Sequence, residues 1–189
     1  MKKKLKITFN APVVLTFALI SLVALILSYI TFGASNKLLF MTYRSSLLSP
    51  LTYLRLFTHV LGHSGWAHFI GNMSYILLLG PMLEEKYGSS EIIWIIVSTA
   101  VVTGLVNCLL FPLTALCGAS GVVFAFILLT SFTSFKQGEL PVSVILVAMI
   151  YIGQQVYEGL FVQDNISNLS HIIGGLVGAV IGYRLNKKK

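Results

Sequence analysis

The sequence has 189 residues, of which 56% are hydrophobic and only 10% are charged, and its mean hydropathy is +0.88. About a quarter of the residues of a soluble globular domain are charged, so this composition excludes that class and predicts a membrane protein. The two cysteines, Cys108 and Cys117, stand in apolar sequence and imply no disulfide framework.

Six uninterrupted apolar runs are candidate membrane spans, because about 20 apolar residues cross the hydrocarbon layer of a bilayer. In chain order they cover residues 11–32, 67–83, 92–112, 120–135, 141–157 and 169–183. The first run follows a lysine-rich start but is longer than the core of a signal peptide, so we expect it to stay as a span. The predicted fold class is all-α: one polytopic membrane domain over residues 1–189, built as a bundle of six transmembrane helices.

The longest connection joins the first two runs and extends from Gly33 to Trp66. It contains a mixed apolar stretch, Leu47 to Leu61, in which arginine and tyrosine side chains stand among leucines. Such a composition is typical of a segment that lies in the membrane interface rather than crossing it. The sequence thus predicts a long first loop on the outer side.

The excess of basic residues is explained by topology. Lys and Arg outnumber Asp and Glu by 13 to 6. With the amino terminus inside, ten of the Lys and Arg residues fall on the cytoplasmic side and three on the outer side. This bias follows the positive-inside rule and predicts that both termini are cytoplasmic. A nucleic-acid partner is therefore not needed to explain the charge.

Ser120 stands in a Gly-x-Ser-Gly sequence, between Gly118 and Gly121, at the start of the fourth run. The glycines allow a tight turn into a helix amino terminus, where free backbone N–H groups favour a developing negative charge. Taken alone, the motif is weak, because a serine that caps a helix is common.

His171 lies near the outer start of the sixth run. Gly174, Gly178 and Gly182 follow it at intervals of four on one helix face. This small-residue pattern lets two membrane helices approach closely. Taken alone, the segment is equally consistent with a packing stripe beside an interfacial histidine and with a functional histidine.

A second polar group precedes and opens the second run. His68 and Asn72 share a helix face there, as do His59 and His63 if their stretch is helical. Three imidazoles within ten residues leave a metal or haem site open as an alternative. The chain has no His-Glu-x-x-His motif and no nearby cysteine or carboxylate ligand, so we expect no metal and no cofactor.

The serine and the histidines are predicted to lie at the same depth in the membrane. The second, fourth and sixth runs all lead inward, and at about 1.5 Å per residue His68, Ser120 and His171 lie about 20–24 Å above their cytoplasmic ends. A serine, a histidine and a His/Asn pair at one level are the components of nucleophilic catalysis. Asp164 is the one aspartate in the chain, which excludes a two-aspartate protease, and no acid stands near His171 on a span. A Ser/His dyad remains.

These residues together resemble the rhomboid family of intramembrane serine proteases, in its six-helix bacterial form, over nearly the whole chain. The matching motifs occur in the family's order: Arg55 with Thr58 and His59, His63 with His68 and Asn72, Glu84, Gly118 to Gly121, and His171 with Gly174 and Gly178. Two positions depart from the family's pattern. Leu54 replaces an aromatic residue before the arginine, and Phe124 replaces a tyrosine that stacks on the histidine. Phe124 can still pack against the imidazole.

The resemblance implies a serine endopeptidase that cuts peptide bonds in or beside transmembrane helices. Ser120 would be the nucleophile and His171 the general base and acid. The implied oxyanion site comprises the Ser120 backbone N–H, His68 and Asn72, with Gly118 in the turn. The other implied roles are a water-filled outer cavity fringed by His59, His63 and Ser64, and a close helix contact through Gly121, Gly174 and Gly178.

The resemblance also implies a location and partners. It places the chain as a multi-pass protein of the bacterial cytoplasmic membrane, with its site open to the outer side and with single-span or polytopic membrane proteins as substrates. The fifth run, with Gly153, Gln154 and Gln155 near its outer end, is a candidate lateral gate. Two alternatives stay open: an inactive rhomboid-like binding protein and a membrane protein that holds haem or metal through its histidines.

Overall fold

The structure is a computed structural model that describes residues 8–133, 139, 142–161 and 168–187, without the side chains of residues 155, 158–160 and 187. The described residues form α-helices and no strand, so the predicted all-α class is confirmed for them. The helices are α1 (Pro12–Ile30), α2 (Pro50–Thr58), α3 (Trp66–Tyr87), α4 (Ser89–Leu110), α5 (Ser120–Ser131), α6 (Val142–Phe161) and α7 (Asn168–Lys187).

Six of these helices begin within three residues of the predicted start of an apolar run. Helices α3 and α7 extend about four residues beyond the predicted ends, because Lys, Glu and Arg are good helix formers although they end an apolar run. Helices α1 and α4 are long and apolar enough to cross a membrane by length and composition, whereas α5 and residues 142–154 are shorter apolar helices. Residues 134–138, 140 and 141, where the fourth and fifth predicted runs end and begin, lie outside the described part.

The loop between α1 and α3, which the sequence predicts as the outer loop, is folded onto the bundle and contains α2, a π-helical turn (Asn36–Phe40) and a 3-10 turn (His59–Leu61). Arg55 is buried, donates from Nε to the Leu38 carbonyl over 2.9 Å, and lies with its guanidinium carbon 4.5 Å from the centre of the Tyr43 ring. Tyr43 therefore supplies the aromatic contact for this arginine, and the neighbouring Tyr53 and Leu54 are exposed.

The same loop braces the turn that precedes α5. Thr42 and Leu116 exchange two backbone hydrogen bonds of 2.9 Å each in an isolated antiparallel bridge. Two residues further on, the Gly118 N–H donates to the His59 carbonyl over 2.9 Å. The backbone just before Ser120 is thus held from the side of the outer loop by three hydrogen bonds.

Helix α5 makes its most extensive contact with α7, through glycine. A Cβ on Gly174 would lie 2.3 Å from the Gly121 carbonyl oxygen, and a Cβ on Gly178 would lie 2.2 Å from the Ala125 carbonyl oxygen. No side chain fits at either position, so the two backbones touch directly, as small-residue stripes permit in membrane helices. This contact lies immediately inside Ser120 and His171.

At the other end of the bundle, Glu84 of α3 caps α1. Its two carboxylate oxygens accept hydrogen bonds of 3.0 Å from the backbone N–H groups of Val13 and Val14, and one of them accepts the Ser89 hydroxyl at 2.6 Å. Helix α1 has no side-chain cap of its own. The buried carboxylate satisfies two N–H groups that would otherwise lack partners, and its charge is favourable at a helix amino terminus.

The glycine contact can be tested with two neighbouring alanine substitutions. Gly174→Ala should lower the melting temperature in detergent, by an amount corresponding to about 1–3 kcal/mol, because the methyl group meets the α5 backbone. Gly175→Ala is the matched control, since its Cβ would lie 3.7 Å from Leu128, an ordinary contact. Alanine also favours a helix interior over glycine. Equal melting temperatures for the two variants would show that the α5–α7 distance is not set by Gly174.

Candidate active site

A cavity of about 660 Å³ opens among α3, α5, α6, α7 and the turn before α5. Its walls carry most of the polar residues singled out in the sequence, together with aromatic and small side chains. The residues of chemical interest in the lining are Ser64, His68, Asn72, Cys117, Ser120, Phe124, Tyr151 and His171. The residues that the sequence grouped by depth therefore share one cavity.

Ser120 and His171 are in direct contact. Ser120 is the first residue of α5, His171 lies in the first turn of α7, and the serine Oγ is 2.8 Å from the imidazole Nε2. The distance is that of a good O–H···N or N–H···O hydrogen bond. Residues 51 positions apart in sequence meet here because the glycine contact brings the ends of the two helices together.

Gly118 shapes the turn into α5. Its φ of +126° lies in the region that side-chain-bearing residues rarely adopt. In addition, a Cβ at this position would lie 2.5 Å from His68 Nε2. Conformation and close approach both require glycine at position 118, and the turn brings His68 against the backbone beside Ser120.

Two aromatic rings, Phe124 and Tyr151, pack in succession behind the His171 imidazole. Phe124, one helical turn after Ser120, stacks on His171 with ring centres 4.6 Å apart and an interplanar angle of 16°. Tyr151 of α6 packs edge-on against Phe124, with ring centres 3.9 Å apart. The imidazole plane is therefore held by packing from Phe124 of α5, and Phe124 is in turn contacted by α6.

Hydrogen-bond donors converge on the other side of the serine. The Asn72 side chain is only 7% exposed and lines the cavity, yet within the described part of the chain its Nδ2 has no hydrogen-bond partner. A Cβ on Gly118 would lie 3.6 Å from that nitrogen. The Ser120 N–H belongs to the first turn of α5, whose N–H groups have no partner within the helix. A buried amide donor without a partner is costly unless something binds it.

His59 and His63 correct one expectation. Both were expected to fringe the cavity, but they are only 1% and 0% exposed and do not line it. Each ring instead contacts a backbone carbonyl inside the protein: His59 Nε2 lies 3.0 Å from the Ala100 oxygen, and His63 Nδ1 lies 3.1 Å from the Leu61 oxygen. Buried carbonyls need such partners. The His63 ring packs edge-on against His68 at 5.1 Å and so acts from behind the cavity wall.

The cavity also contains residues that the sequence did not single out for the site, chiefly Tyr151 and Cys117. Hydropathy identifies the α6 run but not which of its residues faces α5. Burial raises the pKa of the Cys117 thiol to about 11, so this cysteine is uncharged and a poor nucleophile at neutral pH. Among the residues that the structure describes, no group of three or more His, Cys, Asp or Glu side chains is arranged to hold a metal ion.

Comparisons with known proteins identify the family to which this chain belongs. The Rhomboid domain family model matches residues 50–188, which include every residue of the cavity discussed above. The chain belongs to the rhomboid family.

Three relatives illustrate the similarity. Rhomboid-related protein 2 of Mus musculus is 28% identical over 156 residues, covering 71% of this chain and 51% of that protein. Rhomboid protease GlpG of Haemophilus influenzae is 28% identical over 133 residues, covering 68% of each. Rhomboid protease GluP of Bacillus subtilis is 27% identical over 155 residues, covering 79% of this chain and 27% of that protein. The chain thus spans about half of the mouse relative and a smaller part of the Bacillus one.

The buried histidines His59 and His63 predict that the folded protein loses stability at acid pH. Desolvation lowers the pKa of His59 and of His63 to about 4, below the ordinary value of 6.5. Because the folded state then binds protons less readily than the unfolded state, the stability is fully present above pH 6.5 and falls as the pH drops from 6.5 towards 4. The slope is at most about 1.4 kcal/mol per pH unit for each histidine.

The test compares the wild type with His59→Gln, whose amide N–H can replace the Nε2–H contact without titrating. Melting temperatures should fall between about pH 6.5 and about pH 4 for both proteins, with a shallower decrease in His59→Gln. Identical slopes would contradict a titrating role for His59.

Proposed function

We propose that this protein is an intramembrane serine protease that hydrolyses peptide bonds in or next to transmembrane helices of other membrane proteins. The observation that carries the proposal is the 2.8 Å contact between Ser120 Oγ and His171 Nε2 in an open cavity. Membership of a family whose named relatives include two rhomboid proteases supports it.

In the proposed reaction, neutral His171 accepts the Ser120 proton at Nε2 as the serine oxygen attacks the scissile carbonyl. The resulting imidazolium gives that proton to the leaving amine, and an acyl-enzyme ester forms as the peptide C–N bond breaks. Water then enters, His171 removes its proton, and the ester is hydrolysed to a carboxylic acid and free Ser120. Phe124 stacks on the imidazole and holds its plane, which supports a Ser/His dyad as the catalyst.

The oxyanion of the tetrahedral intermediate would lie between the Ser120 N–H, Asn72 Nδ2 and His68 Nε2. Asn72 Nδ2 supports this assignment, because it has no partner among the described residues and a developing negative charge would satisfy it. Donors already aligned in a site of low dielectric stabilise such a charge strongly.

For the membrane arrangement we propose that α1 and α3–α7 each cross the bilayer, with both termini cytoplasmic and the cavity open to the outer side of a bacterial cytoplasmic membrane. Substrates are single-span or polytopic proteins whose helix unwinds locally, because an intact helix hides its carbonyls in hydrogen bonds. The cavity lies between α3 and α6, which makes the α6 side a candidate route of entry.

The proposal is tested by incubating detergent-purified protein with a fluorophosphonate probe and, separately, with a model single-span substrate. We expect labelling and cleavage in the wild type, and loss of both in Ser120→Ala and His171→Ala, because neither the nucleophile nor the base can be replaced. Ser74→Ala is the matched control: Ser74 is an exposed serine on α3 that bonds to its own helix.

Labelling or cleavage that persists in Ser120→Ala would overturn the serine-protease proposal. Loss of cleavage on addition of a chelator would favour the metal-dependent alternative instead. A folded wild type that neither labels nor cleaves would support an inactive binding protein of the same family.

If Asn72 donates to the oxyanion, its substitution should slow catalysis without weakening substrate binding. Asn72→Ala and the isosteric Asn72→Asp should both lower kcat, by about 10²–10³-fold, with little change in KM, because each loses the amide donor. Asn72→Asp keeps the shape of the side chain, so a shared loss separates the donor from a packing defect. Wild-type kcat in Asn72→Asp would exclude Asn72 from the oxyanion site.

A further inference from the structure

Two groups of Ser64 lie within hydrogen-bond distance of one ring nitrogen of His68, Nδ1. The Ser64 hydroxyl oxygen lies 3.0 Å from Nδ1, and the Ser64 backbone N–H donates to the same nitrogen over 3.5 Å. A backbone N–H can only donate, so Nδ1 is the acceptor and carries no proton in the neutral ring. The proton of neutral His68 therefore belongs on Nε2.

The other nitrogen faces the serine turn. His68 Nε2 and Asn72 Nδ2 lie 2.5 and 3.6 Å from the point where Gly118 would carry a Cβ. A protonated Nε2 adds a second donor beside the amide of Asn72, whose Nδ2 has no partner in the part of the chain that the structure describes. A bare Nε2 would instead present a lone pair to a developing oxyanion and repel it.

We propose that Ser64 is a positioning residue: it holds His68 in the Nε2–H tautomer and thereby makes His68 an oxyanion donor. This inference rests on the proposed proteolytic function. Ser64 acts through His68 and does not touch the reacting atoms.

The neighbouring histidine shows that local partners decide the tautomer. His63 Nδ1 faces the Leu61 carbonyl oxygen, which can only accept, so neutral His63 carries its proton on Nδ1. The ring centres of His63 and His68 are 5.1 Å apart, yet their partners imply opposite tautomers, because one Nδ1 meets an acceptor and the other meets donors. Ser64 is exposed at the cavity rim, so substitutions there do not disturb the core.

The test uses two substitutions, Ser64→Asn and Ser64→Asp, whose side chains have the same shape as each other but differ in hydrogen-bonding capacity. In Ser64→Asn the side-chain amide can donate to Nδ1 as the hydroxyl does. In Ser64→Asp the carboxylate only accepts, so it requires the proton on Nδ1 and removes it from Nε2. Kinetics are measured at about pH 8.5, about two units above the ordinary histidine pKa, so that the imidazoles are neutral.

We expect Ser64→Asn to keep kcat within about 5-fold of the wild type, and Ser64→Asp to lose about 100-fold in kcat with little change in KM, as for an oxyanion donor. In ¹⁵N NMR spectra of labelled protein, His68 should be protonated on Nε2 in the wild type and in Ser64→Asn, and on Nδ1 in Ser64→Asp. Comparison with the spectrum of His68→Gln assigns the His68 signals.

A merely structural role for Ser64 would give the two isosteres the same kcat, and that result would overturn the proposal. A wild-type spectrum with the His68 proton on Nδ1 would overturn it whatever the kinetics show. If Ser64→Asp does not fold, Ser64→Ala replaces it: kcat should fall about 2–10-fold, the effect of one lost hydrogen bond, and recover in Ser64→Thr. No recovery in Ser64→Thr would count against the role of the hydroxyl.

The two proposals fail separately. If the wild type shows no Ser120-dependent cleavage, the proteolytic function is wrong, while the NMR spectra still decide whether Ser64 sets the tautomer. If cleavage depends on Ser120 but the tautomer does not depend on residue 64, only the role of Ser64 is wrong.

Discussion

The direct backbone contact between α5 and α7 is the constraint on which the candidate site depends. Gly121 follows Ser120 by one residue, and Gly174 follows His171 by three, so the contact is made just inside the two polar side chains. The hydrogen bond between these side chains is 2.8 Å long, and such bonds in proteins seldom exceed about 3.2 Å, so the two helices have little room to separate. A methyl group between the helices would widen the gap by more than that margin. The absence of side chains at two positions of α7 is therefore what makes a serine–histidine contact possible.

The turn before α5 is also held in place, by hydrogen bonds from the loop between α1 and α3. Hydrogen bonds from Thr42, Leu116 and Gly118 fix its backbone, and His59 links the loop to α4 through the Ala100 carbonyl. Gly118, His59 and Ala100 are buried, and buried backbone groups are costly to leave without partners in a protein surrounded by hydrocarbon. The outer loop thus serves as a structural brace for Ser120. Its buried Arg55 and His59 are explained by that role without any part in chemistry.

Hydropathy alone predicted where six helices begin, because uninterrupted apolar runs of that length have few other structures available in a membrane. Their depth also grouped Ser120, His171 and His68, and the structure has all three in one cavity. The surroundings of His59 and His63 were not predictable, because their rings turn inward to backbone carbonyls that only the folded loop brings near. Tyr151 was missed for a related reason. A uniformly apolar helix gives no periodic signal that separates its packed face from its lipid face.

The stacked rings keep the proposed catalytic pair, Ser120 and His171, ordered beside α6, a helix that packs less extensively than its neighbours. Helix α6 packs against α5 and α7, and many of its described side chains are exposed. Phe124 and His171 belong to the two helices joined by glycine, so their stacking does not depend on the position of α6. Tyr151 of α6 packs edge-on against Phe124 of this pair. A displacement of α6 that widened the cavity would thus separate Tyr151 from Phe124, while the glycine contact between α5 and α7 keeps Ser120, Phe124 and His171 together.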